Sequence, residues 1–134
     1  MLKALELAKK SLVSEDVPVG AVIVKDNKII GEGYNRREKD GDPTAHAEII
    51  AIKEAAKSLG NWRLDDCELY VTLEPCSHYG KTPPCCDLII KEGIKRVVIG
   101  TTDNNNFFCL DGHRLHRNDK LQIMFHVKQW QNKI

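Results

Sequence analysis

The chain has 134 residues, 29% of them charged and 42% hydrophobic, with a formal net charge of +1. That length holds one domain with an ordinary core, and the near-neutral balance excludes a chain-wide basic signal for nucleic acid, leaving only local patches to serve that role. The five cysteines are an odd number in a chain expected to stay in the cytosol, which favours metal binding or thiol chemistry over a disulfide framework.

At the start, "MLKALELAKKSL" places Leu2, Leu5, Ala8 and Leu12 at helical spacing with lysines between them, predicting an amphipathic helix over 2–13 rather than a signal peptide. No apolar run approaches membrane-spanning length, so no membrane partner and a cytoplasmic location are expected. "VPVGAVIVKDNKIIGEGYN" predicts two strands around a turn at Asp26-Asn27. "RREKDGDPT" reads as a polar loop, with Pro43 at the opening of a helix over 45–59 whose buried face is Ala45, Ile49, Ile52, Ala56 and Leu59. "CELYVTL" is a short buried strand, and Pro83-Pro84 open a third helix through "CCDLIIKEG". "KRVVIG" is a further strand, "GHRLHRN" a short helix and "LQIMFHV" a last strand. Strands alternating with helices predict an α/β domain over 1–134, a mixed sheet of about five strands sandwiched by helices.

Three short pieces carry chemistry together: "HAE" (46–48), "PC" (75–76) and "PC" (84–85). A neutral imidazole and two thiolates make a tetrahedral zinc set with the fourth position open. Zinc bound by one His and two Cys⁻ has no net charge, so a neighbouring base helps to deprotonate water, and Glu48 is the candidate. On a regular helix His46 and Glu48 point about 200° apart. They share a site only if it lies over the helix's first turn. The combination resembles the zinc deaminase signature H-x-E followed by P-C-x-x-C, in which the glutamate is a non-ligand acid/base. Here Tyr79 stands three residues after Cys76, and the next cysteine is Cys85 behind its own Pro84.

"VPVGAVIVKD", "GYNRREKDGDPTAHAE" and "NWRLDDCELYVTLEPC" make residues 1–76 resemble bacterial tRNA adenosine deaminases. "TLEPCSHYGKTPPCC" makes residues 72–100, and more loosely 101–123, resemble the diaminohydroxyphosphoribosylaminopyrimidine deaminase of riboflavin biosynthesis. Both belong to the cytidine deaminase superfamily, which implies a three-layer α/β/α sandwich. The resemblance implies one zinc ion per chain held by His46, Cys76 and Cys85, with Glu48 as proton shuttle. The tRNA family implies substrate contacts at Asn35 and Asp103 and a homodimer; the riboflavin-type loop implies phosphate contacts at His78 and Lys81. Each pattern has departures: "EDVPVG" replaces an asparagine-proline pair, and "NNNFFCLDG" replaces a "GGA"-like loop. The expected reaction is hydrolytic removal of an exocyclic ring amine. Adenosine in a tRNA anticodon loop is the first substrate reading and a phosphorylated pyrimidine the second; a catalytically idle zinc-stabilised module is the alternative of another class.

Other residues read more plainly. Cys67, Cys86 and Trp62 are packing residues, Cys109 has no assignment, and His113, His116 and His126 have no partner at metal spacing. "NRREK" (35–39) reads as a solvated loop, in which the family resemblance implies a phosphate contact at Arg36 or Arg37.

Overall fold

The computed structural model describes residues 1–73, 85–101 and 122–125. The elements are α1 (Leu2–Ser11), a 3₁₀ turn (Leu12–Ser14), β1 (Gly20–Lys25), β2 (Lys28–Tyr34), α2 (Arg37–Asp40), α3 (Ala47–Leu59), β3 (Glu68–Leu73), α4 (Cys85–Lys91), β4 (Arg96–Thr101) and β5 (Gln122–Phe125). The five strands form one sheet in the order β2-β1-β3-β4-β5. β1 is antiparallel to both β2 and β3, whereas β4 is parallel to β3 and to β5. The predicted "GHRLHRN" helix lies outside the described residues.

The hairpin turns where the sequence places it. Asp26 and Asn27 have φ of 52° and 64°, the left-handed pair that a two-residue hairpin of right-twisted strands requires and that Asp and Asn tolerate. Strand alternation then sorts the core. Ala21, Ile23, Leu69, Val71, Val97 and Ile99 are buried together with Ala47, Ala51, Ile52 and Ala55 of α3 and Ile89 of α4. The alternate residues Val22 and Val98 point to the opposite face and are also buried. α1 packs on that second face through Ala4, Leu7 and Ala8, giving helix, sheet and helix in three layers. Each fully buried Val, Leu or Ile contributes about 1.5–3 kcal/mol.

Two helices bury only part of the face that their apolar spacing predicts, Ala8 in α1 and Ile52 in α3, together with residues beside it. α1 turns Ala4, Leu7, Ala8 and Ser11 inward and leaves Leu2 and Leu12 about two-thirds exposed, at 66% and 60%. α3 buries Ala47, Ala51 and Ala55, while Ile49, Ala56 and Leu59 are only partly covered. The cause is close backbone approach. A Cβ on Gly33 would strike the Ala47 carbonyl and come within 2.8 Å of the Ala51 nitrogen; one on Gly31 would strike the Ala51 carbonyl and come within 2.9 Å of Ala55 Cβ. Glycine on the strand and alanine on the helix let α3 lie directly on β2. Gly20 plays the same part beneath Ala4 and Ala8 of α1.

Two local departures also have physical reasons. α3 begins at Ala47, not at 45, because Asp42, Pro43, Thr44 and Ala45 form a turn closed by Ala45 N–H donating to the Asp42 carbonyl at 3.1 Å. Asp42 Oδ1 accepts the Thr44 N–H at 2.8 Å and the Thr44 hydroxyl at 2.7 Å, so Pro43 serves position i+1 of a turn rather than the first helical position. The "RREKD" part of the polar loop winds into the single turn α2, closed by Gly41 at φ 60°.

Candidate active site

One edge of the sheet brings together the described candidates, Asn35, His46 and Glu48, and the strand ends that lead toward others. β1 enters there at Gly20, β2 leaves there at Tyr34, and β3 and β4 end there at Leu73 and Thr101, which are register partners. In open α/β sheets the carboxyl ends of parallel strands are where ligands bind. The chain toward Cys76 departs from Leu73, and the chain toward Asp103 departs from Thr101. Glu92, just past the end of α4, sits at the opposite edge, its carbonyl accepting the Leu64 N–H at 2.7 Å. α4 therefore carries its first residue, Cys85, toward the site edge.

The start of α3 is stitched to this edge by backbone and by one side chain. Asn35 N–H donates to the Val19 carbonyl at 3.0 Å and Arg36 N–H to the Ala45 carbonyl at 2.9 Å. Asn35, 8% exposed, accepts the Ala47 N–H on Oδ1 at 2.8 Å and donates from Nδ2 to the Val17 carbonyl at 3.1 Å. Its amide thus joins the loop before β1 to the first residue of α3. Thr72 adds a cross-strand tie, its Oγ1 accepting the Gly20 N–H at 3.1 Å. Neither the structural bond of Asn35 nor that of Thr72 has a local sequence signal, since their partners lie far along the chain. The same holds for Asp16, whose carboxylate accepts the Glu38 N–H of α2 at 2.9 Å.

His46 is the N-cap residue of α3, with φ −80° and ψ 145°, and its carbonyl accepts the first helical bond from Ile50 at 3.0 Å. Because its backbone is extended, it escapes the angular separation that a regular helix would impose between it and Glu48. Glu48 is in the first turn of α3 and only 5% exposed, where the helix dipole favours a carboxylate. Burial lowers the His46 pKa, the Arg37 charge lowers it further, and the Pro43 backbone opposes them. The neutral imidazole is therefore favoured.

Of the three proposed zinc ligands, only His46 has a described side chain. Among the described residues no group of three or more His, Cys, Asp or Glu is placed to hold a metal. Cys76, His78, Lys81 and Asp103 lie outside those residues, as do Cys109, His113, His116 and His126, and of Cys85 only the backbone is described. Cys67 is fully buried at the foot of β3, and burial pushes its thiol pKa up, as a packing cysteine requires.

The profile of the "Cytidine and deoxycytidylate deaminase zinc-binding region" matches residues 1–101. The chain belongs to this deaminase family. It is 45% identical over 125 residues to the riboflavin biosynthesis protein RibD of Aquifex aeolicus, covering 92% of the chain and 33% of that protein. It is 49% identical over 104 residues to the tRNA-specific adenosine deaminase of Haemophilus influenzae, covering 77% of the chain and 57% of that protein. The chain thus spans one third and rather more than half of these two relatives. A solved structure from work on A-to-I editing by tRNA:A34 deaminases at the wobble position superposes with a TM-score of 0.78 at 33% identity, covering 91% of the chain and 92% of that structure. Both resemblances read from the sequence are therefore present among the relatives of this deaminase domain. No helix among its described residues is long and apolar enough to cross a membrane.

Proposed function

We propose that the chain is a zinc-dependent hydrolytic deaminase, with adenosine in a tRNA anticodon loop as its substrate and inosine as its product. The observation that carries the reaction type is the placement of a buried Glu48 in the first turn of α3, beside the N-cap His46. The adenosine reading rests on the tRNA deaminase structure, the relative whose length this chain nearly matches. The zinc, one ion per chain, would be held by His46, Cys76 and Cys85, and when bound it supplies the Lewis acidity that activates water.

The chain's own part is proton transfer and positioning. Glu48 takes a proton from the attacking water as the carbon–oxygen bond forms at the amine-bearing ring carbon. It returns that proton to the departing nitrogen as the carbon–nitrogen bond breaks, and ammonia leaves. General acid–base transfer of this kind contributes about 10²–10⁴-fold. Low exposure keeps the carboxylate from exchanging its proton with bulk water. Asn35 fixes the turn that carries both His46 and Glu48, and its remaining lone pair and N–H offer a contact to the base. Asp103 would approach from the end of β4. We also place the enzyme in the cytoplasm as a homodimer.

A second reading keeps the chemistry and changes the substrate to a diaminopyrimidine ribotide. It is favoured by "TLEPCSHYGKTPPCC" and by the identity to the riboflavin protein over 125 residues, with His78 and Lys81 toward the phosphate. Ammonia release decides, with a tRNA anticodon stem-loop, the ribotide, cytosine, cytidine and guanine as substrates. Inosine in the stem-loop supports the first reading, and ammonia from the ribotide alone supports the second. Silence on every substrate at full zinc occupancy overturns both and leaves an idle zinc-stabilised module.

A further inference from the structure

The register between β1 and β3 runs from Val24 opposite Glu68 to Ala21 opposite Val71. One step further toward the site edge, the Gly20 N–H donates to a side chain: Thr72 Oγ1 accepts it at 3.1 Å. Thr72 is 5% exposed. Both partners are held from behind by main chain. A Cβ on Gly20 would strike the Ala4 carbonyl and come within 2.7 Å of the Ala8 nitrogen of α1. On the other side, a Cβ on Gly100 of β4 would come within 2.8 Å of the Thr72 carbonyl oxygen.

From Gly20 the bonds continue backward along "VPVG" (17–20). The Val19 carbonyl accepts the Asn35 N–H at 3.0 Å, and the Val17 carbonyl accepts from Asn35 Nδ2 at 3.1 Å. Pro18 between them has its φ locked by its ring, which holds the spacing of the two carbonyls. Asn35 Oδ1 then accepts the Ala47 N–H at 2.8 Å. The four residues form a strap with the end of β3 at one side and the start of α3 at the other. Of the side chains that make it, Thr72 alone touches β3. A valine would suit the strand as well and fill the same space; only an oxygen takes the Gly20 N–H.

We infer that Thr72 is a positioning residue of the deaminase site: its hydroxyl, acting through Gly20, Val19 and Asn35, fixes the end of β3 against the start of α3. From the first of these the chain runs on to Cys76; the second carries His46 and Glu48. The inference rests on the deaminase reading and assigns to it a residue that takes no part in the chemistry. A hydroxyl lost at Thr72 leaves the buried Gly20 N–H without its acceptor, and the strap can then shift between β1 and β3. The two parts of the proposed ligand set lose their common reference.

The test compares Thr72→Val, which keeps the shape and removes the acceptor, with Thr72→Ser, which keeps the hydroxyl. Thr72→Ala also removes the acceptor and takes the place of Thr72→Val if that variant does not fold. The control is Ser58→Ala, which removes the bond from Ser58 Oγ to the Ile30 carbonyl near the far end of α3. The full chain is loaded with zinc, and release of the metal into excess chromogenic chelator is timed at a temperature where every variant is folded by circular dichroism. Thr72→Val should release zinc about tenfold faster than the unaltered chain, and kcat on the substrate that yields ammonia should fall about tenfold with KM unchanged. Thr72→Ser should restore both, and Ser58→Ala should change neither. A lower thermal midpoint for Thr72→Val with unchanged zinc release means that the hydroxyl only holds the sheet together, and overturns the proposal. Equal impairment of Thr72→Ser overturns it as well, since the oxygen is then not the agent. Unaltered protein that takes up no zinc overturns the deaminase reading itself, a result distinct from zinc that is bound and released alike by both chains.

Discussion

Asn35 Oδ1 accepts the N–H of Ala47, the first residue of α3, at 2.8 Å, while the same amide donates to Val17 at 3.1 Å. The residue ahead of Ala47 is the metal-ligand candidate and the residue after it is the acid/base candidate. One amide therefore fixes where both stand. Asn35→Ala strips a buried backbone N–H of its partner, which destabilises by about 1–3 kcal/mol. Urea denaturation should show a lower midpoint with an unchanged slope. A substrate-contact role alone would leave the midpoint where it is.

Replacing Glu48 separates catalysis from metal binding. Glu48→Gln removes the proton carrier and should lower the rate constant by about 10²–10⁴-fold with zinc content unchanged by metal analysis. His46→Ala removes a proposed ligand and should reduce zinc below one equivalent. Stoichiometric zinc in purified His46→Ala would take His46 out of the ligand set.

The glycine–alanine contact beneath α3 makes a graded prediction. Gly33→Ala pushes on the Ala47 carbonyl and on Ile50 Cβ, 3.0 Å away, at the end of the helix that carries the site. Gly31→Ala pushes on Ala51 and Ala55, further from it. Each overpacking should destabilise by about 1–3 kcal/mol. Gly33→Ala should lose the larger share of turnover, measured as kcat at full substrate and at a temperature where both variants are folded.

Glu92 opposes the fold at neutral pH. It is 8% exposed, and its desolvation raises its carboxyl pKa above 4.5 against the opposing charges of Lys91 and Arg63. A raised folded-state pKa means that the native protein holds its proton to higher pH than the unfolded chain does. The stability linked to that proton is complete below pH 4.5 and declines as pH rises through the folded-state value. Glu92→Gln should therefore stabilise the protein at pH 7, have little effect at pH 4, and flatten the profile between. Thermal midpoints across that range test it.

The elements most legible in the sequence were those whose cause is local. The Asp26-Asn27 turn, the strands through "ELYVTL" and "RVVIGT", and the "HAE" segment at a helix start all follow from neighbouring residues. The faces of α1 and α3 are only partly legible: Ala8, Ala45 and Ile52 are buried as their spacing predicts, whereas Leu2, Leu12 and Ile49 are not. Contacts with Gly20, Gly31 and Gly33 made alanine the inward residue, and a glycine inside a strand does not announce which helix will lie on it. The start of α3 was shifted by the Asp42–Thr44 bonds, although "DPT" held that signal. The bonds of Asn35, Asp16 and Thr72 span 12 to 52 residues and could not be read from spacing. Cys76, His78, Lys81 and Asp103 fall outside the described residues, so their places rest on the motifs and on the strand ends leading to them.

At Gly31 and Gly33, the main chain of β2 meets the main chain of α3 directly. Such a joint has no rotamers through which to relax. The helix cannot slide along the strand in small increments, and thermal motion of side chains cannot blur its seating. The orientation of the Glu48 peptide is thus set before substrate arrives, and little of it has to be reorganised as the proton moves. Substrate preference can then drift in the surrounding loops while the proton-transfer geometry stays in place.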